Sequence, residues 1–232
     1  MAVLRSRATG ARESRSGDCR LTECAISGHP ALLAVTGDGR ERAAAGLRTA
    51  LAALPGATVA VLGVAGGLSP GLRPGALIVA ENLYDEQEPL PPPNRALLQR
   101  ALGCSGVRGG TVVSVRRVLA TAAEKQRVLG RHAEPAVVDI ESSTLAREAT
   151  AAGAEMLVAR VVSDAAEETL PFDPAACSDA DGRIRRGAVV RQALLRPGRI
   201  GEMLRLKRRV EEASERLADF AVEWLERGEQ NR

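Results

Sequence analysis

Two carboxylates, Glu141 and Asp164, each stand where an apolar, strand-like run gives out. The first run is Ala136-Val-Val-Asp-Ile-Glu141 ahead of SSTLAREA, the second Met156-Leu-Val-Ala-Arg-Val-Val-Ser-Asp164 ahead of AAEE. In open α/β sheets ligand sites gather beyond the carboxyl ends of strands, so acids delivered there are placed to hold a polar substrate and move a proton. Each also reads as an ordinary helix start, Glu141 as a first-turn carboxylate favoured by the helix dipole and Asp164 as an N-cap. Between residues 63 and 68, GVAGGL follows an apolar run, and its small residues let a ligand approach the backbone closely. It is not GxGxxG, which argues against a dinucleotide site. TGDGRERA, residues 36–43, is a strand-to-helix turn in which Gly37, Gly39 and Arg40 either present amides and charge to an anion or make a plain turn.

The elements needed to position these groups alternate along the chain. ALLAVTG reads as a buried strand, DGRERAAAGLRTALAAL as a helix and ATVAVLGV as a second buried strand, which implies a parallel pair. GALIVAENLY and GGTVVSVRRVL read as further strands, DEQEPLPPPN as a surface loop, and NRALLQRALG and AAEKQRVLGRH as helices. PAVVDIE, SSTLAREATAAG and EMLVARVVSD then read as strand, helix and last core strand. The expected architecture is one α/β domain over residues 1–232, a mixed central β-sheet flanked by helices. Residues 1–28, interrupted by arginines, read as irregular, 173–186 as a loop, and 187–228 as a helical segment. Its Met203, Leu206, Val210, Leu217, Phe220 and Trp224 form one apolar stripe for packing on the sheet.

Composition limits the function classes. Of 232 residues, 45% are hydrophobic but only 2% aromatic, so the core must be aliphatic and few rings are available for stacking on a ligand. The 32 basic and 29 acidic residues are interspersed, which does not form the basic stripe of a nucleic-acid binder. Four cysteines without CxxC spacing indicate neither a zinc site nor a disulfide framework, no metal is implied, and reduced thiols suit a cytoplasmic protein. No run approaches the roughly 18 apolar residues of a membrane span. His29 and His132 read as loop residues, and the basic run at Arg205, Lys207, Arg208 and Arg209 reads as a solvated helix face or a contact with an anionic membrane.

GVAGGL with the following SPGLRPGALIVAE, Val138-Asp-Ile-Glu-Ser142 and Arg160-Val-Val-Ser-Asp164, taken in that order and spacing, resemble the nucleoside phosphorylase and nucleosidase superfamily over roughly residues 32–168. The tail, with RPGRIGEMLRLKRR, looks further like the hopanoid-associated phosphorylases, which act on adenosylhopane. The resemblance implies cleavage of a purine N-glycosidic bond without a cofactor, with phosphate as a possible co-substrate and a homo-oligomer as the working form. It gives Glu141 the ribose hydroxyls, Asp164 the proton for purine N7, Ser163 the orientation of that aspartate, Arg160 a place near the site, and Ala65, Gly66 and Ile140 the pocket wall. The chemistry agrees: breaking an N-ribosidic bond develops an oxocarbenium-like sugar and an anionic base, so hydroxyl acceptors and an acid are both required. Phosphorolysis of a lipid-tailed nucleoside is slightly preferred over hydrolysis of the methylthioadenosine type, and a catalytically inactive nucleoside-binding protein is the third possibility. The family glutamate that activates water has only Glu13, beside Arg12 and Arg15, as a counterpart. Val118 stands where methylthioadenosine nucleosidases carry a base-stacking aromatic.

Overall fold

The computed structural model describes residues 2–130, 132–133, 135–178, 185–195 and 197–228. Its elements, in chain order, are α1 (Ala2–Ser6), β1 (Ala8–Ser16), β2 (Cys19–Ile26), β3 (His29–Val35), α2 (Arg40–Ala53), β4 (Val59–Gly67), β5 (Leu77–Asp85) and β6 (Glu88–Pro89). There follow α3 (Arg95–Leu102), β7 (Val107–Ser114), α4 (Ala122–Leu129), β8 (Ala136–Asp139), α5 (Ser142–Ala151), β9 (Met156–Asp164), α6 (Pro174–Cys177), α7 (Arg186–Leu195) and, after a 3-10 turn at Pro197–Arg199, α8 (Ile200–Glu226).

The larger sheet has the order β6-β5-β7-β8-β4-β9 and is mixed. β5, β7 and β8 run parallel, as do β4 and β9, whereas β4 meets β8 antiparallel. A further antiparallel pairing, Leu77 to Val161 through Val79 to Ala159, joins β5 to β9 and closes five strands into a ring. Along β9 the side chains alternate, as a pleat requires. Val158 and Val162 join the cluster of Ala43, Leu47, Leu145 and Ala149 under α2 and α5, while Leu157, Ala159 and Val161 join Leu97, Leu217, Phe220 and Trp224 under α3 and α8. Both faces of the strand are therefore covered, which is why its sequence is a continuous apolar run.

Five expectations are corrected. Residues 1–28 are not irregular: β1 and β2 form an antiparallel hairpin that continues into β3. β1 is exposed almost throughout, so its arginines face water and no apolar period marks the strand. Nor is β3 the parallel partner of β4, since it belongs to the separate sheet β1-β2-β3, joined to β2 in register from Arg20–Val35 to Ile26–His29. The 173–186 loop contains α6, capped by Asp173, whose carboxylate accepts from the amides of Ala175 and Ala176; residues 179–184 of that loop lie outside the described residues. The apolar stripe is only half used: Leu217, Phe220 and Trp224 are buried, whereas Met203, Leu206 and Val210 are half-buried. At its buried end the Trp224 indole donates to Leu97 O at 3.4 Å, and the Arg100 guanidinium lies 3.9 Å above its ring. Of the two histidines read as loop residues, His29 instead opens β3, whereas His132 lies in the loop between α4 and β8 and makes an edge contact with Tyr84, ring centres 4.7 Å apart.

Candidate active site

The ends of β8, β4 and β9 lie side by side, and Gly66 is the hinge of the arrangement: it pairs with Val138 on one side and Asp164 on the other. GVAGGL does not follow the strand but ends it, since Gly63 to Gly67 are the last residues of β4. β9 carries one extra residue at Ser163, so the register jumps from Ala65–Val162 to Gly66–Asp164, a bulge of the kind that re-aims a side chain near a site. No helix starts at Asp164, which removes the N-cap reading; β9 ends there and an irregular turn follows. A side chain on Gly66 would press within 3.3 Å of Asp164 Oδ2 and of Val138, so the glycine is what lets the aspartate lie against the strand.

Asp164 is buried and fully engaged. The Ser163 hydroxyl lies 2.6 Å from its Oδ1 and 3.2 Å from Ala65 O, so its single proton serves one or the other. Oδ2 is ion-paired with Lys125 of α4, whose Nζ also donates to Ala165 O at 2.6 Å and Glu168 O at 3.2 Å. Lys125 is 1% exposed. The Ala165 amide donates to Glu168 Oε2 at 3.0 Å, and Arg209 of α8 binds the same carboxylate at 2.8 Å. Burial would raise the Glu168 carboxyl, but the Arg209 contact and the Ala165 amide bring it below its ordinary range. A cavity of about 350 Å³ opens beside Asp164, lined further by Leu170, Arg205, Leu206 and Arg209.

Glu141 belongs to a second cluster. It occupies the N-cap position of α5 but makes no cap bond; instead its Oε1 accepts from the Gly39 amide at 2.7 Å. Asp139 does the capping, receiving the Ser142 amide at 3.2 Å, the Ser114 hydroxyl at 2.6 Å and the buried Arg160 guanidinium at 2.6 Å. Arg160 also donates to Ser142 Oγ at 2.7 Å. Its direct partners are therefore Asp139 and Ser142, and it reaches Glu141 through the field alone. Burial pushes the Glu141 carboxyl above its ordinary value; the Gly39 amide and Arg160 oppose this, while Asp139 and Asp38 add to it. Glu141 is not among the residues lining the Asp164 cavity. What connects the two clusters is β9 itself, which contributes Arg160 to one and Asp164 to the other.

The proposed anion residues are committed elsewhere. Gly39 serves Glu141, Arg40 is paired with Asp85 of β5 and with Ser143 of α5, and Gly37 supplies a left-handed turn at φ 84°. Burial would raise Asp85, but the contacts with Arg40, Ser143 and Arg147 hold it below its ordinary range. Glu13 sits on β1, paired with Arg5 and half exposed. Ile140 packs with Tyr84 against the cluster of Leu68, Val113 and Val138. Among the described residues no His, Cys, Asp and Glu group is placed to hold a metal.

Asp139, Lys125, Ser114 and Glu168 belong to these clusters but escaped the sequence reading. Asp139 is a charge inside an apolar strand. Lys125 stands on the apolar side of its helix, three and four residues before the half-buried Val128 and Leu129, which was its available signal.

Residues 3–195 match the Phosphorylase superfamily. The chain belongs to that superfamily. A curated relative, the 5'-methylthioadenosine/S-adenosylhomocysteine nucleosidase of Geobacillus kaustophilus, is 27% identical over 190 residues, covering 72% of this chain and 81% of the relative. Among solved structures, the corresponding nucleosidase of Neisseria meningitidis in complex with methylthio-immucillin-A has a TM-score of 0.74 at 17% identity, covering 97% of this chain and 93% of that one. A futalosine hydrolase mutant of Helicobacter pylori has a TM-score of 0.74 at 13% identity, covering 97% and 92%. At such identities these two likenesses establish the fold alone, a single α/β domain with a mixed sheet flanked by helices.

Proposed function

We propose that this enzyme cleaves the N-glycosidic bond of a purine nucleoside by hydrolysis. The observation that carries the reading is Asp164, buried at the end of β9, seated against the Gly66 backbone and opening on a cavity. In this reading the C1′–N9 electron pair goes to the purine, a proton reaches N7 by way of Asp164, and water adds to C1′ and releases a proton to solvent. Glu141 accepts hydrogen bonds from the ribose hydroxyls, a role that needs its ionised form and so places the acid limb of activity above an ordinary glutamate range. Hydrolysis is preferred because Gly39 and Arg40, the groups nearest to an anion cradle, already satisfy Glu141, Asp85 and Ser143. The nucleosidase name of the 27%-identical relative supports the same choice.

A second reading, a lipid-tailed nucleoside drawn from a membrane surface, is favoured by one feature. Leu194, Leu195 and Leu204 are 73%, 73% and 60% exposed, close in sequence to Arg199 and Arg205, which line the Asp164 cavity. No helix among the described residues is long and apolar enough to cross a membrane, so such contact would be peripheral. Incubating the purified protein with methylthioadenosine, adenosine or a lipid-tailed adenosine, with and without phosphate, and following adenine release separates the cases. Phosphate-independent release is expected. Release only with phosphate would replace hydrolysis by phosphorolysis, release only from a lipid-tailed adenosine would establish the second reading, and binding without release would leave a non-catalytic binder.

A further inference from the structure

Thirty of this protein's 32 basic residues are arginine; the two lysines are Lys125 and Lys207. Lys207 lies on α8 with its side chain 72% exposed and a loose i,i+4 contact to Glu211, as a solvated helix cation should. Lys125 is the opposite case. It heads the largest fully buried side chains of the described residues, and its ammonium spends its three N–H bonds on Asp164 Oδ2, Ala165 O and Glu168 O. A guanidinium does not give up its proton in a protein, whereas a lysine ammonium can. A chain that uses arginine almost everywhere else thus holds its one buried lysine against the carboxyl group at the cavity.

We infer that Lys125 is the source of the proton that the departing purine receives, with the Asp164 carboxyl passing it on. The inference rests on the reading under Proposed function. As the C1′–N9 bond breaks and its electron pair moves into the base, Lys125 Nζ gives a proton to the Asp164 carboxylate at Oδ2 and the carboxyl so formed gives one to N7, so that Asp164 ends ionised as it began. The amine left behind is neutral, still beside the Ala165 and Glu168 carbonyls, and is reprotonated by way of Asp164, which lines the 350 Å³ cavity as Lys125 itself does not. Lys125 touches Asp164 rather than the substrate, so it is a positioning and proton-supplying residue. The Ser163 hydroxyl at 2.6 Å from Oδ1 fixes the rotation of the carboxyl, which keeps Oδ2 on the lysine.

The test compares nucleosides whose bases differ in their need for a proton, adenosine against 6-chloropurine riboside, in the wild type and in Lys125→Met and Lys125→Arg. A general acid is worth about 10²- to 10⁴-fold. Lys125→Met should lose that much in kcat on adenosine and at least tenfold less on 6-chloropurine riboside. Lys125→Arg keeps the positive charge but has no proton to give, and should show the same bias. Equal losses on the two substrates mean a merely structural lysine, and full activity in Lys125→Arg means that charge alone suffices; either overturns the inference. A wild type that cleaves neither substrate overturns the proposed function instead.

A measurement on the unaltered protein covers the event that neither variant folds. With only two lysines, ¹⁵N labelling of lysine gives two Nζ signals, of which the slowly exchanging one belongs to Lys125. Saturating 9-deazaadenine, a base with a fixed proton on N7, should move that signal and leave the Lys207 signal in place. A Lys125 signal unmoved by the bound base would overturn the relay.

Discussion

The Asp139–Arg160 pair offers the sharpest test of how this site is held. Their side chains are 6% and 5% exposed, so replacing Arg160 by Met strands a carboxylate that retains the Ser114 hydroxyl and the Ser142 amide but loses its counter-charge. Breaking a buried pair from one side costs about 3–5 kcal/mol. In a protein of this size each kcal/mol lowers the melting temperature by about 2–4 °C, so Arg160→Met should melt about 6 to 20 °C below the wild type. Asp139→Asn added to it removes the stranded charge while keeping an acceptor for the amide, and similar exchanges of whole buried pairs are often neutral. The double variant should therefore recover most of the loss, with a coupling of about 0.5–3 kcal/mol in a double-mutant cycle read by urea denaturation. Because the Asp139 carboxylate caps α5 and thereby frees Glu141 to reach Gly39, the single variant should also lose activity more steeply than stability. A loss below about 1 kcal/mol, or strict additivity of the two changes, would show that this pair does not hold the β8–α5 turn.

Three further outcomes are expected. Gly63→Ala places a methyl carbon 2.0 Å from Arg160 Nη1; it should reproduce much of the Arg160→Met loss and add little to it in that background, and a fully stable Gly63→Ala would contradict the close approach. Glu141→Gln should gain stability as pH rises: with its folded pKa above the ordinary 4.5, native Glu141 holds more protons than the unfolded chain, so the wild type loses stability as pH climbs through that window. Denaturation at pH 4 and pH 8 checks the sign, a gain at pH 8 that vanishes at pH 4, while adenine release falls. Burial first, then the charge of Glu223, lifts the Cys104 thiol to about 11, so at pH 8 Ellman's reagent should label it only on unfolding, and rapid labelling of the native protein would argue against that burial.

How much of this was legible depended on what each strand faces. β8 and β9 are buried and their apolar runs announced them, as did that of β4 although its Ala60 and Val64 are exposed; the exposed β1 had no such run, and its arginines concealed a regular hairpin partner. Local pattern also cannot say which sheet a strand joins. β3 and β4 flank a helix as a parallel pair would, yet β3 spends its hydrogen bonds on β2, and β4 lies between β8 and β9. The β5–β9 contact that closes the ring links residues some eighty positions apart and leaves no local trace.

At the site, Glu141 and Asp164 were visible because strand ends collect function, and Ser163 and Gly66 through the resemblance of the motifs that hold them, whereas their partners were not, because an ion pair exists only once the chain has folded. β9 supplies one member of each buried pair, Arg160 to Asp139 and Asp164 to Lys125, on either side of the bulge at Ser163. Buried pairs are poor sources of stability compared with well-packed apolar residues, so two of them on one strand call for separate explanations. The first is structural: it anchors a helix start, and a neutral replacement of both partners should leave chemistry close to intact. The second borders the cavity, and Lys125→Met combined with Asp164→Asn should fold as well as the parent while releasing no adenine. If both neutral doubles kept their activity, the acid at the end of β9 would have no part in bond cleavage. If both lost it, Arg160 would belong to the reaction and not only to the turn that carries Glu141.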